Sequence, residues 1–161
     1  MPWAVMDIDG VIADVRHRLH HVQSRHKDWD AFFAAAPDDA VLDDGLSRAR
    51  ELAGDCTLVY LTGRPERCRD DTDAWLIRHE FPPGELIMRS DTDRRPARLF
   101  KVGQVQRLAR RQEVHIVVDD DAAVVEALLA EGFPVEHARW MPESAPQQSS
   151  LFDAQEREGR T

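Results

Sequence analysis

A chain of 161 residues is long enough for one domain with a full hydrophobic core, together with a small insertion and a tail. Apolar residues make up 42% and charged residues 32%, ordinary values for a globular protein, and no apolar run approaches the roughly 20 residues of a bilayer span. The net charge of −9 argues against sequence-independent adhesion to nucleic acid, and Cys56 and Cys68 alone imply no disulfide framework. Residues 1–6 carry no basic flank and meet Asp7 too early for a secretory leader, so a cytoplasmic protein is expected.

Taken in chain order, residues 3–6 read as a short strand that leads into Asp7. Residues 15–39 break the pattern with Arg16-His17-Arg18-Leu19-His20-His21 and then Asp28-Trp29-Asp30-Ala31-Phe32-Phe33, and predict a small helical cap inserted at about residues 15–40. The three histidines lack a cysteine or carboxylate set to complete a metal site, which favours a solvated helix face over a metal centre. Residues 43–53 form a helical pattern closed by Gly54. Residues 57–61 are a continuous apolar run, and Pro65 suits the first turn of a helix running to about His79. Residues 85–88 are a weaker strand. Residues 97–111 place Leu99, Val102, Val105 and Leu108 at three-residue spacing, which predicts a helix with that apolar face.

Residues 114–118 are a second buried-strand pattern, residues 121–131 a helix closed by Gly132, and residues 133–136 a last weak strand. Alternating strands and helices, with strand patterns that do not alternate in polarity, predict an α/β three-layer sandwich around a parallel sheet over residues 1–141. From Pro142 the composition turns to Pro, Ser, Gln and charge, and residues 142–161 read as a mobile tail. Charge is unevenly spread. Residues 89–111 hold eight basic side chains against Asp91 and Asp93, a local charge of +6 that leaves −15 for the rest. This pattern suits either a directed anion site or a solvated helix face.

Ligands of open parallel sheets bind beyond the carboxyl ends of the strands. Three apolar runs end there in matching chemistry: Asp7-Ile8-Asp9-Gly10, Thr62-Gly63-Arg64 and Asp119-Asp120-Asp121. A carboxylate can attack phosphorus and form an acyl-phosphate, and Asp7 is the candidate nucleophile. Asp9, two residues on, is placed to protonate the leaving oxygen and later activate water, with Gly10 allowing the backbone to turn. The Thr62 hydroxyl and the backbone N–H groups of Gly63 and Arg64 are candidate donors to phosphoryl oxygens. Asp7 with Asp119 and Asp120 offers hard oxygen ligands suited to Mg²⁺, and Lys101 is the cation to balance nucleophile and phosphoryl charge.

These four segments, Asp7-Ile8-Asp9-Gly10-Val11, Leu61-Thr62-Gly63-Arg64-Pro65, Lys101 and Val117-Val118-Asp119-Asp120-Asp121, resemble the motifs of the haloacid dehalogenase superfamily, in its order, across about residues 3–137. The resemblance implies a Rossmann-like fold, an aspartyl-phosphate at Asp7, acid–base work by Asp9, and Mg²⁺ held by Asp7, the Asp9 backbone carbonyl and either Asp119 or Asp120. Dehalogenases lack the second aspartate of the first motif, so Asp9 points to phosphate chemistry.

Thr62-Gly63-Arg64-Pro65-Glu66, Leu86-Ile87-Met88-Arg89-Ser90-Asp91 and Asp119-Asp120-Asp121 also resemble the 3′-phosphatase domain of phage-type polynucleotide kinase-phosphatases. That resemblance implies removal of 3′-phosphates from nucleic-acid ends, with Arg64 and Arg89 as phosphate contacts. No Walker A glycine loop occurs, so phosphatase chemistry without a kinase half is expected. A nucleotidase or small-metabolite phosphatase is the alternative. In the tail, Gln148-Ser149-Ser150-Leu151-Phe152 resembles the peptide by which bacterial repair and replication proteins bind the sliding clamp, while docking of Leu151 and Phe152 on this protein's own surface is the competing reading. A clamp-tethered binding module with little turnover is the alternative from a different class.

Overall fold

The structure, a computed structural model, describes every residue except 143 and 144, and the side chains of all residues outside 143–150. In chain order, β1 (Trp3–Met6) and β2 (Ala13–Asp14) lead to a 3₁₀ segment over Arg16–Val22, α1 (Trp29–Ala34), a 3₁₀ turn over Ala36–Asp38, and β3 (Ala40–Val41). Then follow α2 (Asp43–Leu52), β4 (Thr57–Pro65), a 3₁₀ turn over Glu66–Cys68, α3 (Arg69–Arg78), β5 (Gly84–Arg89), α4 (Ala97–Ala109), β6 (Val114–Asp119), α5 (Ala122–Ala130), β7 (Val135–His137) and α6 (Ala145–Arg157).

Five strands form one parallel sheet in the order β5-β4-β1-β6-β7. The central strands are apolar without alternation because both faces are covered. On one face Ala49 and Leu52 of α2 and Trp75 and Leu76 of α3 pack with Tyr60 and Leu58. On the other, Phe100, Val105 and Leu108 of α4 and Val124 and Leu128 of α5 pack with Val59 and Val117. This is the predicted α/β sandwich. β2 and β3 form a separate antiparallel pair that brackets the insertion, whose Leu19, Phe32 and Phe33 make a third apolar cluster. Cys56 and Cys68 are buried free thiols. Among the described residues, no helix is long and apolar enough to cross a membrane.

Three local expectations change. Pro65 does not open a helix: it ends β4 and pairs with Arg89, and α3 begins only at Arg69. A proline at a strand end has no ladder donor to lose, so the position tolerates it. The inward face of α4 is Ala97, Phe100, Lys101, Val105 and Leu108, while Leu99 is 47% exposed. Mixed three- and four-residue steps follow the helical stripe, whereas strict three-residue spacing drifts off it. That shift carries Lys101 inward. Finally, the segment read from its composition as a mobile tail contains α6, whose Leu151 and Ala154 bury in the cluster of Val15, Leu19 and Trp29.

Candidate active site

The chain runs from the central β1 outward to β4 and β5, then returns to β6 and β7 on the other side. Beyond the carboxyl ends of β1, β4 and β6 the direction of winding reverses, which opens the crevice where such sheets bind ligands. The register aligns Met6 with Tyr60 and with Val118. One residue further, Asp7 lies alongside Leu61 and Asp119, with Thr62 next on β4. Three separate stretches of sequence therefore deliver their polar residues to one place.

Asp7, Asp119 and Asp120 each bring a carboxylate oxygen within 4.8 Å of the others. Lys101 enters from α4, with Nζ 3.0 Å from Asp7 Oδ1 and 2.6 Å from Asp119 Oδ2. The second Asp119 oxygen accepts from the backbone N–H of Asp121 at 2.9 Å, which fixes its orientation. Burial, joined by the charges of Asp119 and Asp9, pushes the Asp7 carboxyl up to about 7 against the pull of Lys101. Burial and Asp7 likewise raise Asp120 well above the usual carboxylate range. The Lys101 ammonium is held charged: burial opposes it, but Asp119 and Asp7 more than offset that cost.

One lysine among two buried carboxylates and a half-buried third leaves negative charge to be balanced, and the donors are all hard oxygens. The residues present fit a divalent cation of the Mg²⁺ type. Gly10 shapes this wall. Its φ is +82°, and a Cβ there would run into the Asp120 carboxyl, so only glycine lets that side chain lie against the loop. A cavity of about 260 Å³ adjoins Asp120 and Gly10, bounded by His137 and Phe152.

Asp9 has a different setting. Its Oδ1 accepts from Arg64 Nη2 at 2.6 Å, Arg64 Nε at 3.0 Å and Arg18 Nη2 at 3.0 Å. Asp39, wholly buried, ties the two guanidinium groups together: Arg18 donates to both of its oxygens at 2.8 Å, and Arg64 to Oδ2 at 3.1 Å. Burial alone would raise the Asp9 carboxyl, but Arg64 and Arg18 bring it down to about 2. Among the described residues Asp9 Oδ2 is buried with no partner. The clamp thus occupies one oxygen and leaves the other without a partner among the described residues.

Arg18 and Asp39 were not singled out from the sequence. Both lie in the inserted segment, Arg18 among histidines that read as a solvated face. His17 instead reaches Asp39 Oδ1 with Nε2 at 2.6 Å. No spacing in the sequence announces this pairing, because the partners meet only when the insertion folds over the sheet edge.

Thr62 is buried, and its Oγ1 accepts the Arg64 backbone N–H at 3.1 Å, so that N–H is already engaged. The Arg64 side chain faces Asp9, Asp39 and Thr72. Arg89, fully buried at the end of β5, donates to the carbonyls of Gly63 at 3.3 Å and Arg95 at 2.8 Å and lies over the Phe100 ring. Burial lowers it to about 10, since Asp93, at 3.6 Å, is its one acidic neighbour within salt-bridge distance among the described residues. A concavity of about 740 Å³ runs along the outer edge of β5 and touches none of the clustered carboxylates.

The sequence profile of the polynucleotide kinase PNKP phosphatase domain matches residues 2–137. A search of curated proteins finds no match. Among solved structures, the chain is similar to one titled "Structure of Pnkp1/Rnl/Hen1 complex", with a TM-score of 0.68 at 18% identity, covering 89% of this chain and 48% of that one. The chain thus spans about half the length of that relative. It is also similar in fold to a Class C acid phosphatase from Bacillus anthracis (TM-score 0.61, 12% identity, 94% of this chain and 78% of that one). A haloacid dehalogenase-like hydrolase from Streptococcus pneumoniae gives a TM-score of 0.61 at 15% identity, over 95% and 92% of the two chains. With the profile matching most of its length, this chain belongs to the family of polynucleotide kinase PNKP phosphatase domains and is a phosphatase of the haloacid dehalogenase superfamily.

Proposed function

We propose that the protein is a Mg²⁺-dependent phosphomonoesterase that removes 3′-phosphates from nucleic-acid ends through a phosphorylated Asp7. The observation that carries this reading is the convergence of Asp7, Lys101, Asp119 and Asp120 beside an Asp9 whose Oδ2 is left unpaired. Asp7 attacks phosphorus as the bond to the leaving oxygen breaks, and Asp9, which the two arginines hold ionised at rest, relays a proton from solvent through Oδ2 to that oxygen. The same carboxylate then takes a proton from water, which cleaves the acyl-phosphate and restores Asp7. Lys101 holds the Asp7 carboxylate in place and offsets the negative charge that gathers at phosphorus. A Mg²⁺ ion held by Asp7, the Asp9 backbone carbonyl and Asp119 or Asp120 would supply further charge neutralisation of the phosphoryl oxygens. Thr62 and the Gly63 N–H serve as phosphoryl donors, with Arg64 and Arg89 as the cations nearest the strand end.

The substrate is tested by phosphate release from 3′-phosphorylated and 5′-phosphorylated oligonucleotides and from mononucleotides. Preference for the 3′-phosphorylated oligonucleotide is expected. Far better hydrolysis of mononucleotides would replace end repair with a nucleotidase. A cytoplasmic repair role and a sliding-clamp partner belong to the same proposal. The clamp contact requires α6 to lift, because Leu151 is buried on the cap; the side chain of Gln148 lies outside the described residues.

Metal binding has its own expected result. Asp7 titrates at 3.8 when unperturbed and about 7 when folded, so the stability tied to its retained proton is present at low pH and lost as pH rises to about 7. A cation that replaces the proton restores it. Added Mg²⁺ should therefore raise the melting temperature more at pH 8 than at pH 5.5. Equal shifts at both pH values would count against a cation on these carboxylates.

A further inference from the structure

The chain's own residues 158–161 cross the mouth of the site. Thr161 is buried, and its backbone lies where a Cβ on Gly63 would stand, with its carbonyl 3.5 Å from Arg89 Nη2. Gly159, at φ +58°, packs so tightly on the carbonyls of Arg94 and Arg95 that any side chain there would clash. Arg160 places its guanidinium 5.6 Å from the centre of the Trp29 ring. α6 anchors this run, through Leu151 and Ala154 in the cap and through ion pairs from Arg98 to Glu156 and from Lys27 to Glu158.

Lifting residues 159–161 would uncover a groove from Gly63 and Arg89 past Arg94 to Trp29, next to a concavity of about 560 Å³ that Arg25, Lys27, Trp29 and Arg94 line together with Glu158 and Arg160 of the run itself. Trp29 is held by Phe33 stacked at 5.9 Å and Phe32 edge-on at 5.6 Å, which leaves one face for Arg160. Cations crowd here in a protein of net charge −9. Arg94 and Arg67 repel Arg160 and, after burial, help lower its affinity for its proton. A flat aromatic face beside clustered guanidinium groups is what a single strand uses, with bases stacking and phosphates paired to arginine.

We propose that this groove seats the nucleotide next to the phosphorylated end, its base on Trp29 and its phosphate at Arg89 and Arg94, and that residues 159–161 occupy the groove until a strand displaces them. The inference rests on the nucleic-acid reading above. It adds a second subsite and a competitor built into the chain. Arg160 on Trp29 stands where the base stacks, and the Thr161 carbonyl stands where an oxygen of the incoming strand meets Arg89.

The test is binding of a fluorescent 3′-phosphorylated oligonucleotide to Asp7→Asn protein with Mg²⁺, with a nucleoside 3′-monophosphate as competitor. Gly159→Val cannot keep residues 159–161 seated, and Arg160→Gly removes the cation from Trp29; both should bind the oligonucleotide several-fold more tightly. Arg94→Ala and Trp29→Leu should weaken the oligonucleotide, on the order of tenfold where the stacking face is removed, and leave the monophosphate unchanged. Unaltered oligonucleotide affinity in both Gly159→Val and Arg160→Gly, or equal weakening of both ligands in Arg94→Ala, would overturn the proposal. Because binding is read apart from phosphate release, a protein with these shifts but no turnover would sink the phosphatase reading and leave the groove standing. Turnover without the shifts would do the reverse.

Discussion

Asp7→Asn should abolish phosphate release, by on the order of 10³-fold or more, since removing a nucleophile removes the covalent route itself. It should do so without unfolding the protein. The Asp7 carboxyl is pushed up to about 7 because burial and the charges of Asp119 and Asp9 penalise its ionised form. An amide of the same shape carries no such penalty, so above pH 7 and without Mg²⁺ the variant should melt no lower than the parent. Activity and stability then move in opposite directions, the pattern expected of a residue kept for chemistry. A variant that loses activity only because it unfolds would show that Asp7 is structural.

Lys101→Met should lose both. The ammonium lies between Asp7 and Asp119 at 3.0 and 2.6 Å, buried on the inward face of α4. Methionine fills similar space but leaves two buried carboxylates facing each other unpaired. Breaking a buried pair on one side costs about 3–5 kcal/mol, and for a chain of this size each kcal/mol moves the melting temperature by about 2–4 °C. A fall of about 10 °C is expected at pH 8, shrinking at pH 5 as the carboxylates take up protons. Mg²⁺ should recover part of the stability, because the cation answers the same charge, but not turnover, because nothing then holds the nucleophile against the arriving phosphoryl group. A melting temperature within 2 °C of the parent would contradict the arrangement.

How much of this was legible in the sequence depends on where each residue sits. Asp7, Thr62, Asp119 and Asp120 follow short apolar runs that suit buried strands, and in a parallel sheet strand ends meet at one edge, so their convergence follows from pattern and topology together. Lys101 needed the motif resemblance; strict three-residue spacing around it put the wrong face of α4 inward. Arg18 and Asp39 were invisible. Their roles come from charge complementarity between an insertion and the sheet edge, which neither periodicity nor spacing encodes. Arg64 and Arg89 stand out in the sequence as candidate phosphate contacts, but a sequence does not say that one would be spent on Asp9 and the other buried under Thr161. The polar composition of residues 142–161 hid α6 because a few apolar residues, Leu151 and Ala154 among them, suffice to dock a helix on the cap.

The central claim, that Asp7 carries the phosphoryl group, is tested most directly by trapping it. Protein mixed with an oligonucleotide bearing a labelled 3′-phosphate and Mg²⁺, then quenched in acid within the first turnover, should retain label in a base-labile bond to the peptide containing Asp7. Asp7→Asn protein should retain none. Label held equally by the Asp7→Asn protein, or phosphate released by that variant at the parent's rate, would contradict the account.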